Sequence, residues 1–199
     1  MTEKEKMLNG EFYDPNDAEL VELRKKSHRL SFEYNSLMED DPKRAEILSD
    51  LMPDVPESVY LQGPVQFDYG CFTTMGENTY ANFNFTVLDV CPVTIGKNVY
   101  FGPNCSILTA MHPLVWQERV PFKTPKGTWT DNEYGKPITI GDNCWICGNV
   151  TICAGVTIGE GTVIGAGSVV VKNIPAGVLA AGNPCKVIRP VTDEDRLLP

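Results

Sequence analysis

The chain has 199 residues, of which 42% are hydrophobic and 22% charged, a composition typical of a folded globular protein rather than a disordered one. Its net charge of −9 argues against nucleic acid or an anionic membrane as the main partner. No apolar run approaches the roughly 18 residues of a membrane helix, and the charged start does not resemble a signal peptide. Seven cysteines without an export signal predict free thiols and a cytoplasmic protein.

Residues 1–59 carry the pattern of a small helical segment. Asn16 or Asp17 can cap a helix, because apolar side chains recur after them at three- and four-residue spacing as far as Tyr34. A second helix is predicted with Asp41 as its N-cap, Pro42 in its first position and Pro53 ending it.

From residue 60 onward the sequence is dominated by a six-residue repeat. Large apolar residues recur every six positions at Ile95, Phe101 and Ile107, and again at Ile140, Ile146, Ile152, Ile158, Ile164 and Val170. Four residues after each lies a smaller or apolar one: Val99, Cys105, Cys144, Val150, Val156, Thr162, Ser168 and Ile174. Between them stands a residue that tolerates positive φ: Asn98, Asn104, Asn143, Asn149, Gly155, Gly161, Gly167 or Asn173.

This period predicts a parallel β-solenoid over residues 60–190. Each hexad would form a short strand and a corner, and three hexads would close one triangular coil, so that stacked coils bury a continuous column. A sandwich of short strands is the alternative, but a sandwich has no reason to keep a strict six-residue period. The register breaks between 107 and 140, which indicates an inserted loop at 112–137, and inserts of this length are commonly functional. Residues 60–94 are interpreted as solenoid with insertions, and 191–199 as a tail.

Several sequence blocks are similar to those of one known family. They include Asp68-Tyr69-Gly70, Ala81-Asn82-Phe83-Asn84, Leu88-Asp89-Val90-Cys91-Pro92, Thr109-Ala110-Met111-His112-Pro113-Leu114 and the closing Gly182-Asn183-Pro184-Cys185-Lys186-Val187-Ile188-Arg189. Together with the repeat, they resemble the hexapeptide-repeat acyltransferases, and within these the group of maltose, galactoside and nodulation O-acetyltransferases. The resemblance implies a left-handed parallel β-helix and acetyl-CoA-dependent acetylation of a sugar hydroxyl, with no metal required.

His112 is the candidate general base. It lies where the repeat breaks, and the chain has only one other histidine, His28. A lone histidine is more often structural, but the family places its base in this Thr-x-x-His-Pro-like block. Direct transfer would need a donor for the oxyanion, for which Asn82 or a backbone N–H is a candidate. An acyl-enzyme on Cys91 is the less favoured rival, and a metal or redox site at Cys144 and Cys147 is not expected because the repeat points these two apart.

The resemblance also implies the binding residues. Trp145, Gly148, Ala166, Val171 and Lys172 would line the coenzyme groove, and Lys186 and Arg189 would meet its phosphates. Asp17, Arg24, Asp68, Asn82 and Asn84 would contact the acceptor, although Asp17 is also suited to cap a helix and Asp14 competes for its role. Segment 115–132 is longer than in the maltose and galactoside enzymes, which leaves the sugar open.

The family packs three columns into a homotrimer with active sites between subunits. Four other functions are alternatives to a sugar acetyltransferase. An antibiotic acetyltransferase of the same fold stays possible because of the long insert, and a non-catalytic scaffold is disfavoured by the presence of His112 and Asn82. A γ-type carbonic anhydrase needs three histidines around zinc, which the solenoid lacks. An acyl-carrier-protein-dependent enzyme is less favoured because no basic docking helix is evident.

Overall fold

A computed structural model describes residues 1–125 and 127–198. The N-terminal segment forms three helices: α1 (Glu3–Leu8), α2 (Ala18–Ser36) and α3 (Lys43–Leu51). Asp17 caps α2 as predicted, because its Oδ1 accepts from the Glu19 N–H at 3.0 Å. Helix α3 begins one residue later than predicted, and Asp41 accepts from the Lys43 N–H at 2.9 Å. Helix α1 was not predicted, although Thr2 and Glu5 form a capping box.

The described part of the remaining chain forms twenty strands and one further α-helix. The strands are β1 (Tyr60–Leu61), β2 (Val65–Phe67), β3 (Thr73–Met75), β4 (Tyr80–Ala81), β5 (Phe85–Leu88), β6 (Val93–Ile95), β7 (Tyr100–Phe101), β8 (Ser106–Leu108), β9 (Ala110–Met111), β10 (Phe122–Lys123), β11 (Trp129–Thr130), β12 (Tyr134–Gly135), β13 (Ile138–Ile140), β14 (Trp145–Ile146), β15 (Thr151–Cys153), β16 (Thr157–Ile158), β17 (Val163–Ile164), β18 (Val169–Val170), β19 (Val178–Ala181) and β20 (Lys186–Pro190). Helix α4 (Trp116–Arg119) lies in the insert, and a 3-10 turn (Asp193–Asp195) lies in the tail.

Three parallel sheets form the sides of a triangular solenoid, which confirms the predicted fold. The first sheet has the order β1-β4-β7-β14-β17-β19, with β20 added antiparallel at its end. The second has the order β2-β5-β8-β15-β18, and the third β3-β6-β13-β16. All of the predicted inward positions are buried, including the small residues Val99, Cys105 and Ser168. The alternation of large and small side chains therefore fills the column as the repeat predicts.

The lower coils explain why the repeat was irregular before residue 95. Tyr60 pairs with Tyr80 and Tyr80 with Tyr100, so these coils are 20 residues long. Trp145 pairs with Val163, a spacing of 18 residues, as three hexads require. The extra residues lie in the corners between the second and third sheets, at 68–72 and 89–92.

Asparagines in the left-handed conformation form ladders along the corners. Asn84, Asn104 and Asn149 have φ near 60°, and each side chain donates to the next at 2.8 and 3.1 Å. A second ladder joins Asn78, Asn98 and Asn143 in the same way. The amide side chains thus satisfy one another at positions where the backbone turns.

Replacing Asn104 with alanine should lower the free energy of unfolding by about 1–2 kcal/mol from backbone conformation alone. Asn104→Gly adopts the same φ without this cost and serves as the matched control, since both variants lose the ladder bonds. Urea denaturation measures the difference. Equal destabilisation of the two variants would show that the ladder bonds, and not the backbone conformation, select asparagine here.

The inserted loop is present as predicted, and it carries secondary structure that the sequence did not predict. It holds α4 and the antiparallel hairpin β10–β11, and it returns through β12, which pairs antiparallel with β9. Among the described residues, no helix is long and apolar enough to cross a bilayer.

A small second core joins the N-terminal segment to the solenoid. Met7, Tyr13 and Leu20 pack with Tyr69 and Val90 from the long corners. The helices are thereby held against the corner between the second and third sheets, where the insert also begins.

Candidate functional site

The predicted site residues lie on two different edges of the triangular solenoid. Between the first and second sheets, Asn82, Gly148 and Ala166 follow β4, β14 and β17; we call this corner the Asn82 edge. Between the second and third sheets lie Asp68 and the insert with His112; we call this corner the His112 edge. The second sheet separates the two edges, and its four-residue strand β5 alone spans about 13 Å.

His112 directly follows β9 and is held by the returning arm of the insert. Its Nδ1 lies 3.2 Å from the carbonyl oxygen of Asn132 and 3.9 Å from Oδ2 of Asp131. A carbonyl oxygen can only accept, so the Nδ1 position carries the proton and Nε2 keeps its lone pair. The side chain is 47% exposed, so a ligand can reach part of the imidazole ring.

Glu133 lies beside His112, and Tyr13 contacts Glu133 in turn. Met111 pairs with Tyr134, which brings Glu133 beside His112, and the Tyr13 N–H donates to the Glu133 carbonyl at 3.2 Å. Burial raises the pKa of the Glu133 carboxyl, while its hydrogen bond with the Tyr13 side chain and the nearby His112 lower it. Sequence reasoning missed Glu133 and Asp131, because the hexad gives no information on how the insert pairs with β9.

The structure brings two of the predicted acceptor residues together at the His112 edge. Asp68 lies 3.9 Å from Nε2 of His28, and Arg24 donates to the Tyr69 hydroxyl at 3.1 Å. Burial raises the pKa of Asp68, whereas His28 and Arg24 lower it. His28 was not predicted here; it lies one helical turn after Arg24 on α2.

Two other predicted acceptor residues have structural partners. The carboxylate of Asp17 caps α2, while that of Asp14 accepts from the Thr130 hydroxyl in the insert at 2.6 Å. Asn84 lies on the Asn82 edge, and its side chain belongs to the asparagine ladder. Asp14 is therefore the acid that the fold places beside the insert.

Asp89 is a buried carboxyl that the sequence analysis did not single out. It accepts from the Tyr69 N–H at 2.8 Å and from the Thr73 hydroxyl at 2.9 Å. Its burial raises its pKa to about 6, although both hydrogen bonds act in the opposite direction. The Tyr69 hydroxyl in turn accepts a hydrogen bond from Arg24. Asp89 therefore holds the backbone of a residue that contacts one of the predicted acceptor residues.

The predicted coenzyme residues are divided between the two edges. Trp145 points outward from β14 beside Tyr100 and is 55% exposed, close to Gly148 and Ala166 on the Asn82 edge. Val171 and Lys172 are exposed on the His112 edge, after β18. Lys186 and Arg189 are exposed on β20, and the guanidinium of Arg189 makes two bonds to Asp195 at 2.8 and 2.6 Å.

Cys91 and Cys144, two of the candidate site cysteines, are both buried. The Cys91 thiol is buried and donates to the carbonyl oxygen of Met7 at 3.1 Å, and burial raises its pKa to about 11. A nucleophilic thiolate is therefore disfavoured at this position. Cys144 is buried and Cys147 half-exposed. Within residues 1–125 and 127–198, no three His, Cys, Asp or Glu side chains are grouped as metal ligands.

Known proteins are similar to this chain in sequence and in fold over almost its whole length. The maltose acetyltransferase hexapeptide capping motif matches residues 6–56, and six bacterial transferase hexapeptide repeats match 137–172. The galactoside O-acetyltransferase of Escherichia coli strain K12 is 39% identical over 193 residues, covering 96% of this chain and 91% of its own.

Two solved structures are similar in fold as well as in sequence. A maltose O-acetyltransferase from Clostridium difficile 630 is 44% identical with a TM-score of 0.88, covering 97% of this chain and 99% of its own. A hexapeptide-repeat acetyltransferase from Vibrio cholerae, solved with acetyl coenzyme A, is 35% identical with a TM-score of 0.84, covering 97% and 100%. The chain belongs to this family: it is a hexapeptide-repeat acetyltransferase with the maltose acetyltransferase capping motif.

Proposed function

We propose that this protein transfers the acetyl group of acetyl-CoA to a sugar hydroxyl, with His112 as the general base. The observation that carries the proposal is the contact of His112 Nδ1 with the Asn132 carbonyl, because it leaves Nε2 able to take a proton. The acceptor residues Asp68 and Arg24 lie at the same edge and offer charged groups for hydrogen bonds to hydroxyls.

The reaction proceeds without an acyl-enzyme. His112 Nε2 takes the proton of the sugar hydroxyl as the oxygen attacks the thioester carbonyl, which becomes a tetrahedral oxyanion. The C–S bond then breaks, the acetyl ester is formed, and the proton on Nε2 passes to the coenzyme A thiolate. The raised pKa of Cys91 supports direct transfer over a route through that thiol.

Asn82 is the proposed oxyanion donor. Its Oδ1 accepts from the Phe83 N–H at 2.7 Å, so the amide nitrogen is left to donate outward. Asn82 and His112 lie on opposite edges of one subunit, however, and can meet only when the Asn82 edge of one copy faces the His112 edge of another. The division of Trp145 and Lys172 between the two edges supports the same arrangement for the coenzyme groove.

A homotrimer satisfies this requirement, because three copies around a threefold axis bring each His112 edge against the Asn82 edge of the next. Tyr60, Tyr80, Tyr100 and Trp145 form an outward aromatic row along the first sheet, next to the Asn82 edge. We propose that this row contributes to the subunit contact. Lys186 and Arg189 would then contact the phosphates of the coenzyme, with Arg189 exchanging Asp195 for a phosphate.

The acceptor class is tested by following the thioester absorbance of acetyl-CoA with glucose, maltose, a β-galactoside and an aminoglycan fragment. Acetylation of one of these sugars, identified as an ester by mass spectrometry, is the expected result. Turnover with an antibiotic but with none of the sugars would replace the sugar acceptor by a xenobiotic one. Tight acetyl-CoA binding without turnover on any acceptor would indicate a scaffold.

Mixing two inactive variants tests whether the site is shared. Asn82→Ala and His112→Ala should each be nearly inactive, and co-expression of both should restore about a quarter of wild-type activity if random closed trimers form. A site is active only when the subunit that supplies His112 is the Asn82→Ala variant and the subunit that supplies Asn82 is the His112→Ala variant. With equal amounts of both variants, each condition is met in half of the cases, so about a quarter of the sites are active. Mixed oligomers as inactive as their parents would place the whole site within one subunit. Full activity of Asn82→Ala alone would remove Asn82 from the mechanism.

A further inference from the structure

The insert forms one wall of a cavity that none of the predicted catalytic or coenzyme residues lines. It has a volume of about 190 Å³ and lies between the N-terminal segment and the hairpin β10–β11. Its walls include Phe12, Asp14, Phe122, Thr130, Asp131 and Asn132. Asp131 and Asn132 also contact His112, so this cavity adjoins the proposed acceptor position.

Hydrogen bonds between the insert and the N-terminal segment fix the positions of the cavity walls. The Asn16 amide donates to the Trp129 carbonyl at 3.0 Å, and the Thr130 hydroxyl donates to Asp14 at 2.6 Å. Phe12 packs edge-on against Tyr134 with ring centres 5.2 Å apart, which fixes its orientation. Because of these contacts the cavity is already formed before a ligand binds, as small-molecule sites usually are.

The lining fits one uncharged sugar ring. Phe12 and Phe122 are 56% and 42% exposed and offer apolar faces, while Asp14, Thr124 and Asp131 offer oxygens for hydroxyl groups. Glu3, Asp14 and Asp131 carry three negative charges against the one positive charge of Lys6, so a phosphate or carboxylate would be repelled. A drug-sized ligand fills about 300–1,000 Å³, which makes this cavity suitable for a single ring.

We propose that this cavity is an outer acceptor subsite, which binds the second neutral ring of a disaccharide while the first ring presents its hydroxyl to His112. The proposal rests on the sugar acetyltransferase function and specifies its substrate as a neutral disaccharide or longer glycoside. Segment 115–132 would thereby determine the preference for two rings over one.

The test compares kcat/KM for maltose, and for a second neutral disaccharide, with kcat/KM for glucose. Phe122→Ala should lower the value for the preferred disaccharide about tenfold and leave that for glucose within about twofold, because only the second ring loses its contact. Trp129→Ala is the matched control: this aromatic side chain lies on the same hairpin, is exposed, and contacts Lys123 instead of the cavity. Thermal denaturation of both variants excludes a difference in folding.

Each outcome decides the proposal. A disaccharide-specific loss in Phe122→Ala that Trp129→Ala does not show supports the subsite. Equal losses for one and two rings, or no loss for either, would overturn the subsite and leave the sugar acetyltransferase function standing. If the wild-type enzyme acetylated no sugar at all, both proposals would fall, so the two failures are distinguishable.

Discussion

His112→Ala is expected to lower kcat by about 10²–10⁴ while leaving the KM for acetyl-CoA nearly unchanged. The imidazole acts only as the proton moves, and its removal leaves the coenzyme contacts and the oxyanion donor in place. Steady-state kinetics with saturating acceptor measure the effect. The change also removes the contacts of Nδ1 with the Asn132 carbonyl and Asp131, so thermal denaturation of His112→Ala serves to show that the insert stays folded.

Cys91→Ala is the control for the acyl-enzyme route. The thiol is buried, donates to the Met7 carbonyl and has its pKa raised to about 11, so its loss should leave kcat almost unaltered. A collapse of activity in a folded Cys91→Ala protein, together with residual activity in His112→Ala, would reverse the assignment. A trapped acetyl-thioester on the protein would have the same consequence.

Arg44→Ala is expected to lower the free energy of unfolding by about 3 kcal/mol, because the Leu61 and Gln62 carbonyls lose a charged donor, although the Leu61 carbonyl keeps the Tyr34 hydroxyl. Arg44 is 7% exposed, and its Nη2 donates to the carbonyls of Leu61 and Gln62 at 2.8 Å each. Its guanidinium also stacks on Tyr34 at 4.3 Å, and its Nε has no partner among the described residues. Arg44 therefore joins α3 to both α2 and the first coil.

Urea denaturation measures this loss, with Arg29→Ala as the control for removing an arginine from an exposed helix position. Arg29 is exposed on α2, and its replacement should change stability by no more than about 0.5 kcal/mol. Arg44→Lys should be intermediate, because lysine keeps the charge but not the planar fork. Equal stability of Arg44→Ala and Arg29→Ala would show that the two carbonyls find other donors.

The interior of the solenoid could be read directly from the sequence. Ile146 and Val150 illustrate why: each hexad has the same surroundings above and below, so one local pattern determines burial throughout the column. The left-handed turns at Asn98 and Asn104 were predictable for a similar reason, since few residue types accept that φ. The use of Asp17 as a cap also followed from local sequence.

The surroundings of His112 could not be predicted in the same way. Glu133 and Asp131 come beside His112 only because β12 returns antiparallel to β9, and this pairing depends on contacts far apart in the chain. The meeting of Tyr13 with Glu133 depends on the second hydrophobic core, which joins segments that follow no common period. The resemblance supplied His112 and Asn82, but it gave no indication that one chain holds them on separate edges.

The positions of the long corners and the insert indicate which segments of this enzyme could be exchanged by engineering. All of them leave the column at the same edge, and the parallel strands on either side of each keep their pairing with the neighbouring coils. Segments 68–72, 89–92 and 112–137 can therefore be exchanged together while the strands that flank them keep their register. A graft of these three segments together with residues 1–36 is expected to transfer the proposed acceptor residues Asp14, Arg24 and Asp68 to another solenoid without altering the Asn82 edge of the host.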